Sequence, residues 1–324
     1  MKQETAKPKK VIGYIENGGI KAVPHNLAVD FRRNKAIYFM CIPIIVWYLI
    51  FCYWPMAGIV MAFQRFAPAK GIWGSPWIGF DNFTNFFTGP YFGRLLRNTA
   101  VLGILDLLVN FPAPILFALL LNEVKAAKFK KVVQTISYMP YFISMVVICG
   151  LIVDFTKSGG VISNVVASIT GGESQNLLGN PNYFRPIFIL SGTWQGVGYG
   201  SIIYLAALSG VDQELYEAAV VDGAGRWKQT IHITIPSILP TVIIMLIMRM
   251  GSVLQVASDK VLLLYSPATY EKADVISTYV YRVGLQNYDY GYSTAVGLFN
   301  SIVGTCLLLT TNAISKKYSE TSLF

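Results

Sequence analysis

Residues 36–63 read AIYFMCIPIIVWYLIFCYWPMAGIVMAF, an apolar stretch without a single charged side chain. A helix needs about 20 apolar residues to cross a bilayer, and this run exceeds that. Apolar and polar residues do not alternate in it, and an open strand cannot satisfy its backbone in lipid, so the run is predicted to be helical. Pro43 and Pro55 predict a tilt or a kink near its outer end. Five more runs come after it, at about 98–121, 132–154, 186–209, 237–257 and 291–313, with Pro112 and Pro114 interrupting the first of these. The expected fold is an all-α integral membrane protein of six transmembrane helices. It comprises a tail over 1–35, a membrane domain over 36–313 and a second tail over 314–324. No internal repeat or low-complexity tract is visible.

Composition agrees. The 324 residues are 54% hydrophobic and 13% charged, whereas soluble domains carry about 25% charged residues. The net charge of +9 lies at the ends of the apolar runs instead of in one patch, which argues against a nucleic-acid partner. Sixteen Lys and Arg fall in the N-terminal tail, in 122–131, in 210–236 and after residue 313, against nine in the alternate loops. The basic side of a membrane protein faces the cytoplasm. Both termini and the 210–240 segment are therefore predicted to be cytoplasmic. The first thirty-five residues are polar and basic, and the run behind them is too long for a signal-peptide core, so no cleaved leader is expected. Cys41, Cys52, Cys149 and Cys306 all lie in apolar stretches without CxxC spacing and are expected to be small buried hydrophobes.

Two outer loops carry more than a turn. Segment 64–97 is rich in Trp, Phe and Gly, which suits an interfacial aromatic belt or a contact surface for an external partner. In 258–290, Val275, Ile276, Tyr279 and Val283 recur at helical spacing. They predict a short amphipathic helix lying on the outer membrane surface.

On the basic side, residues 211–240 read VDQELYEAAVVDGAGRWKQTIHITIPSILP. Leu215 to Val221 favours helix, with Glu217 placed near its start to suit the helix dipole. Gly223 and Gly225 break that helix. Arg226 to Ile233 can form a second short helix that Pro236 ends or kinks. A passive connector needs only a few residues, so two short helices at a glycine turn suggest a docking knob.

The pattern E-A-A-x-x-D-G-A, succeeded by I-x-x-P and a further Pro, resembles the EAA loop of permease subunits from type I ABC importers of carbohydrates. The stretches VLLLYSPATYEKADVISTYVYRVGLQ and RFAPAKGIWGSPWIGFDNF and the terminal SLF resemble the subgroup that imports oligosaccharides and polysaccharide fragments, alginate among them. The likeness runs from about Arg33 to Phe324. It implies a permease fold with cytoplasmic coupling helices between spans 4 and 5. Glu217, Ala218, Ala219, Asp222, Gly223 and Ala224 would contact an ATPase subunit, Glu217 as the polar anchor. It also implies a second homologous permease subunit, two ATP-binding-cassette ATPase subunits, an extracytoplasmic solute-binding protein and the bacterial inner membrane as location. One departure is that such loops usually carry an aromatic residue near Thr230 or Ile231, and neither is aromatic here.

No G-x-x-x-x-G-K-[ST] phosphate loop occurs, and His25 and His232 are the only histidines. The chain is expected to be no enzyme and to bind no cofactor itself, with ATP and Mg held by the partner ATPases. The Gly196-Val197-Gly198-Tyr199-Gly200 run echoes a potassium-channel filter. It continues directly into one spanning helix, however, so a Gly196/Gly200 pair for close helix packing is the better account. Ionisable residues inside spans are costly and face protein or a water-filled path. Asp106 and Arg249 either form a structural pair or snorkel to the interface, or Arg249 lines the solute path, where it could meet an anionic sugar. Asn110, Gln255 and Asn300 are candidate partners for sugar hydroxyls, and Trp194, Tyr199 and Phe299 for ring stacking. The alternative function is an ion-gradient-driven sugar transporter, which would show inverted repeats and acidic residues at midplane.

Overall fold

The structure, a computed structural model, describes Asp30 and residues 34–256 and 258–319. Nearly all of the tail expected over 1–35, and residues 320–324 of the second tail, lie outside the described residues. Among the described residues there is no β-strand, only an isolated antiparallel bridge between Gln64 and Trp77.

The chain divides into two compact units, residues 1–58 and 59–324. In the first, the α-helix Lys35–Tyr48 passes into a π turn at Leu49–Tyr53 and then into 3-10 geometry from Trp54. Pro55 has no N–H to donate. The α pattern is lost just ahead of it, where the sequence predicts a kink. The carboxylate of Asp30 accepts hydrogen bonds from Asn34 (2.7 Å) and Tyr38 (2.8 Å).

Among the described residues, five helical stretches are long and apolar enough to cross a membrane: Lys35–Phe63, Phe92–Glu123, Met145–Thr170, Arg226–Gly251 and Tyr290–Lys317. The second changes helix at Phe111, ahead of Pro112. The run expected at 132–154 is divided. Ala127–Tyr138 is one helix, Met139–Phe142 a 3-10 turn around Pro140, and Met145–Thr156 a second helix. Ile143 and Ser144 between them are extended (ψ 136° and 146°). The Ser144 hydroxyl caps the new helix by accepting the Val147 N–H at 3.4 Å, as small polar residues do at helix starts.

The run expected at 186–209 falls within one 29-residue helix, Pro181–Ser209, long enough to span. It is less apolar than the five because Ser191, Gly192, Thr193, Gln195, Gly196, Gly198 and Gly200 interrupt it. The reason is its position: it packs against the Phe92–Asn110, Pro112–Glu123, Ala127–Tyr138 and Ile235–Gly251 helices. Helix–helix interfaces in membranes favour small and polar residues over large apolar ones, while Leu190, Trp194 and Ile202 on its outer side stay exposed. Its small residues allow close approach. A Cβ on Gly198 would overlap the Ser137 backbone and one on Gly200 would press on Pro114 at 3.1 Å, whereas Gly196 faces open space. Close packing is thus a property of Gly198 and Gly200, not of the Gly196/Gly200 pair read from the sequence.

Ile276–Tyr281 turns the start of its apolar stripe into protein, where the sequence predicts contact with a membrane surface. Val275 and Ile276 are fully buried, Ile276 with Phe86, Leu95 and Val296. The apolar stripe is real, but protein covers it. Nor are the cysteines uniformly buried: Cys149 is, Cys41 is half-buried, and Cys52 and Cys306 are exposed.

Candidate functional site

The 211–240 segment begins with a capped helix. Asp212 caps Gln213–Val221 by accepting the Glu214 N–H at 3.0 Å. The helix starts two residues earlier than expected, so Asp212 and Glu214, not Glu217, serve its positive end. At the other end Gly223 adopts φ +75°. Its N–H donates to the Val220 carbonyl (3.0 Å) and that of Ala224 to Ala219 (2.8 Å). This is the paired Schellman arrangement that uses otherwise unsatisfied carbonyls. The D-G-A of the motif is therefore a stop signal: Asp222 ends the helix, Gly223 takes the left-handed conformation, and Ala224 closes the second bond.

The second arm departs from its expected form. Arg226–Gln229 is a short helix, but Pro236 neither ends it nor breaks the chain beyond it. A π turn at Thr230–Thr234 joins it to Ile235–Gly251, and Pro236, which has no N–H to donate, sits just beyond that turn. The Ile235 N–H reaches back to Thr230. The second arm of the knob is thus continuous with a membrane-spanning helix. The Tyr216 hydroxyl meets the Thr234 hydroxyl at 2.9 Å, and Tyr216 and Ile233 both pack on a core containing Tyr204, Leu208 and Ile238. At the place where an aromatic residue is missing, Thr230 bonds the Arg226 carbonyl (3.0 Å) and Ile231 is exposed.

Of the six motif residues, Glu217, Ala218, Asp222 and Gly223 are exposed, and Ala219 and Ala224 half-buried. Glu217 has no ion pair among the described residues. Sequence reasoning passes over Val221 and Trp227, 88% and 76% exposed. They lie on the two arms that flank the Gly223 turn. Their position beside small residues is the available signal.

A second constellation lies in a cavity of about 440 Å³ lined by Asp106, Asn110, Tyr141, Thr193, Gly196, Arg249 and Lys260, among others. Arg249 forms an ion pair with one oxygen of Asp106. The other oxygen accepts from Asn110 at 2.7 Å, and Asn110 in turn accepts from Thr193. Arg249 is thus both a structural pair and a cavity residue. Tyr199 stacks face to face on Tyr141 (3.8 Å, 5°), backing a cavity wall. The remaining candidates are elsewhere. Trp194 borders a separate apolar cavity of about 430 Å³ with Leu190 and Phe155. Gln255 is exposed beyond the helix end. Asn300 is buried and donates to the Leu254 carbonyl at 3.4 Å. Phe299 packs among Phe86, Phe87 and Phe92.

Lys260 reads from sequence as a loop charge, yet it is 3% exposed. It donates to the Phe188 carbonyl at 2.9 Å and sits over the Phe188 ring at 4.9 Å. Ser258 and Asp259 ahead of it are polar, and only the apolar run 261–264 behind it hints at burial.

A third group holds the loops together. Asp274, fully buried, receives both Arg282 guanidinium nitrogens (3.1 and 2.7 Å), Arg94 (3.2 Å) and Thr278 (3.0 Å). Burial alone would lower the Arg282 pKa, but the hydrogen bonds and charge of Asp274 outweigh it and hold it above its ordinary value. Asn98 donates to the carbonyls of Glu271 (2.9 Å) and Asp274 (3.0 Å) and accepts from Arg185 (2.9 Å).

Known proteins share this architecture. Residues 86–320 match the family of binding-protein-dependent transport system inner membrane components. Protein LplB of Bacillus subtilis is 45% identical over 90% of this chain and 92% of its own length. The polygalacturonan/rhamnogalacturonan transport system permease protein YteP of the same organism is 44% identical over 92% and 93%. A chain in the crystal structure of a bacterial ABC transporter involved in import of the acidic polysaccharide alginate superposes with TM-score 0.84. That chain is 44% identical, with 91% of this chain and 99% of that one covered. The chain belongs to the binding-protein-dependent transport system inner membrane components and is a multi-pass transport subunit.

Proposed function

We propose that this permease is one of two membrane halves of an ATP-driven importer that carries an acidic oligosaccharide, of the alginate or pectin-fragment kind, across the bacterial inner membrane. A second, homologous permease completes the path. An extracytoplasmic solute-binding protein delivers the sugar, and two ATPase subunits dock on the cytoplasmic side and hold the ATP and Mg. This chain binds no cofactor of its own. The excess of Lys and Arg in 122–131 and 210–236 supports a cytoplasmic position for the 211–240 knob and for both termini.

The observation that carries the reading is the exposed, rigidly capped E-A-A-x-x-D-G-A knob whose second arm runs without a break into Ile235–Gly251. Force applied at Glu217, Asp222 or the small residues between them passes straight into a spanning helix that carries Arg249 and borders the cavity. ATP closing the ATPase dimer would move the two knobs together and rock the path outward; hydrolysis would reset it. Near-complete switching requires ATP to favour one state by about 5.5 kcal/mol. The ion-gradient alternative lacks support, because the relatives are subunits of binding-protein-dependent systems. The acidic substrate is inferred from the alginate and polygalacturonan systems to which the relatives belong together with a cavity holding Arg249 and Lys260 against one Asp106.

The test uses the complete reconstituted importer. Glu217→Ala should leave assembly of the two permeases intact while cutting ATPase copurification or ATP-driven uptake by about tenfold, as for a lost charge-assisted contact. Unimpaired uptake by this variant would remove Glu217 from the docking role.

A further inference from the structure

Lys260 is the one charged group in the cavity whose burial the internal pairs do not explain. Asp106 has both oxygens engaged, one by Arg249 and the other by Asn110. Among the described residues no carboxylate lies within ion-pair distance of Lys260. Its ammonium has one hydrogen bond, to a backbone carbonyl, and a ring face. An ammonium has three donors, and burying one without an anion is strongly unfavourable. A buried, carboxylate-free ammonium lining a cavity is a candidate functional group.

Its surroundings are shaped for access. Gly192 lies directly beneath it: a Cβ there would stand 3.0 Å from Asn110 Nδ2 and 3.4 Å from Lys260 Nζ. Gly196, one turn on, has nothing within 4 Å of the same position. Two glycines thus keep open the wall that faces the ammonium. With Arg249 and Asp106 the cavity carries one surplus positive charge, bordered by the Tyr141 ring and the Thr193 hydroxyl.

We infer that Lys260 is a specificity-determining residue that receives a sugar carboxylate during passage. The vacant donors of Lys260 bind one carboxylate oxygen, Arg249 is shared between that group and Asp106, and Tyr141 offers its face to the pyranose ring. The arrangement deepens the oligosaccharide-import reading and rests on it. It makes the cavity a carboxylate subsite in the path and not merely a water-filled gap.

The test is ATP-driven uptake into proteoliposomes holding the complete importer. The probes are a short oligouronate and the same oligosaccharide after chemical reduction of its carboxyls. Lys260→Met should lower oligouronate uptake about tenfold or more, and uptake of the reduced sugar by about twofold at most, as expected for loss of one charge-assisted hydrogen bond. Lys260→Arg should restore selectivity for the acidic probe. Gly192→Ala, which disturbs the same ammonium without removing it, should show the same selective loss in weaker form, and it carries the comparison should Lys260→Met not assemble. Equal losses on both probes, or none, in assembled complexes would overturn the assignment. A wild-type importer that takes up the reduced sugar in preference to the oligouronate would instead overturn the acidic-substrate reading itself.

Discussion

Two carboxylates define opposite uses of charge in this molecule. Asp274 is fully buried and saturated, with Arg94, Arg282 and Thr278 all donating to it. Glu217 is exposed and has no ion pair among the described residues. The first holds elements of one chain together: it ties Phe92–Asn110 to the loop ahead of Tyr290–Ser319. The second is held out on a knob that is itself carefully built, with an N-cap, a Schellman turn and a Tyr216–Thr234 bond. A rigid support under an unpartnered charge is what a docking site needs. A buried charge with three partners is what a fold needs.

Breaking each side should therefore give different signatures. The largest stability effect belongs to Asp274. Asp274→Ala leaves two guanidinium groups without their anion and should destabilise the protein by about 3–5 kcal/mol. The expected readout is lost yield and lowered thermal stability in detergent, with transport of every substrate falling together. Glu217→Ala should do the reverse, changing stability by less than about 0.5 kcal/mol while uncoupling uptake from ATP.

Between these extremes lies the turn itself. Gly223→Ala forces a Cβ into φ +75° and should cost about 1 kcal/mol. No atom lies within 4 Å of that Cβ, so the loss would come from the backbone alone. Thermal melting should show a small decrease and uptake a larger one, because the knob's aim changes. Tyr216→Phe removes one hydrogen bond worth about 1 kcal/mol, and its effect on uptake should be the smallest of the four. It leaves the ring in its core, and a partial loss of coupling with unchanged assembly is expected.

The same contrast marks what sequence can and cannot reveal. The knob is legible because its signals are local: Gly at a left-handed position, Asp ahead of it, alanines on an exposed helix. The spans are legible wherever lipid-facing surface dominates, as in 36–63. The Pro181–Ser209 helix is visible despite its glycines, but their distribution between close packing at Gly198 and open cavity at Gly196 depends on which neighbours arrive. Lys260 reads as a loop charge because nothing near it in sequence announces Phe188, which lies 72 positions away. The same blindness puts Ile276 on an outer surface, when its stripe is buried against Leu95 and Val296. Pro236 reads as a stop because a π turn ahead of a proline leaves no simple signature in residue type.

The central claim is that ATP hydrolysed on partner subunits drives this chain through the 211–240 knob. It is tested most directly by uptake of a labelled oligouronate into proteoliposomes containing this permease, its partner permease, the ATPases and the solute-binding protein. Uptake should require MgATP, survive collapse of all ion gradients by ionophores, and fall about tenfold with Glu217→Ala. Uptake that persists without the ATPases and stops when the ion gradient is collapsed would contradict the account.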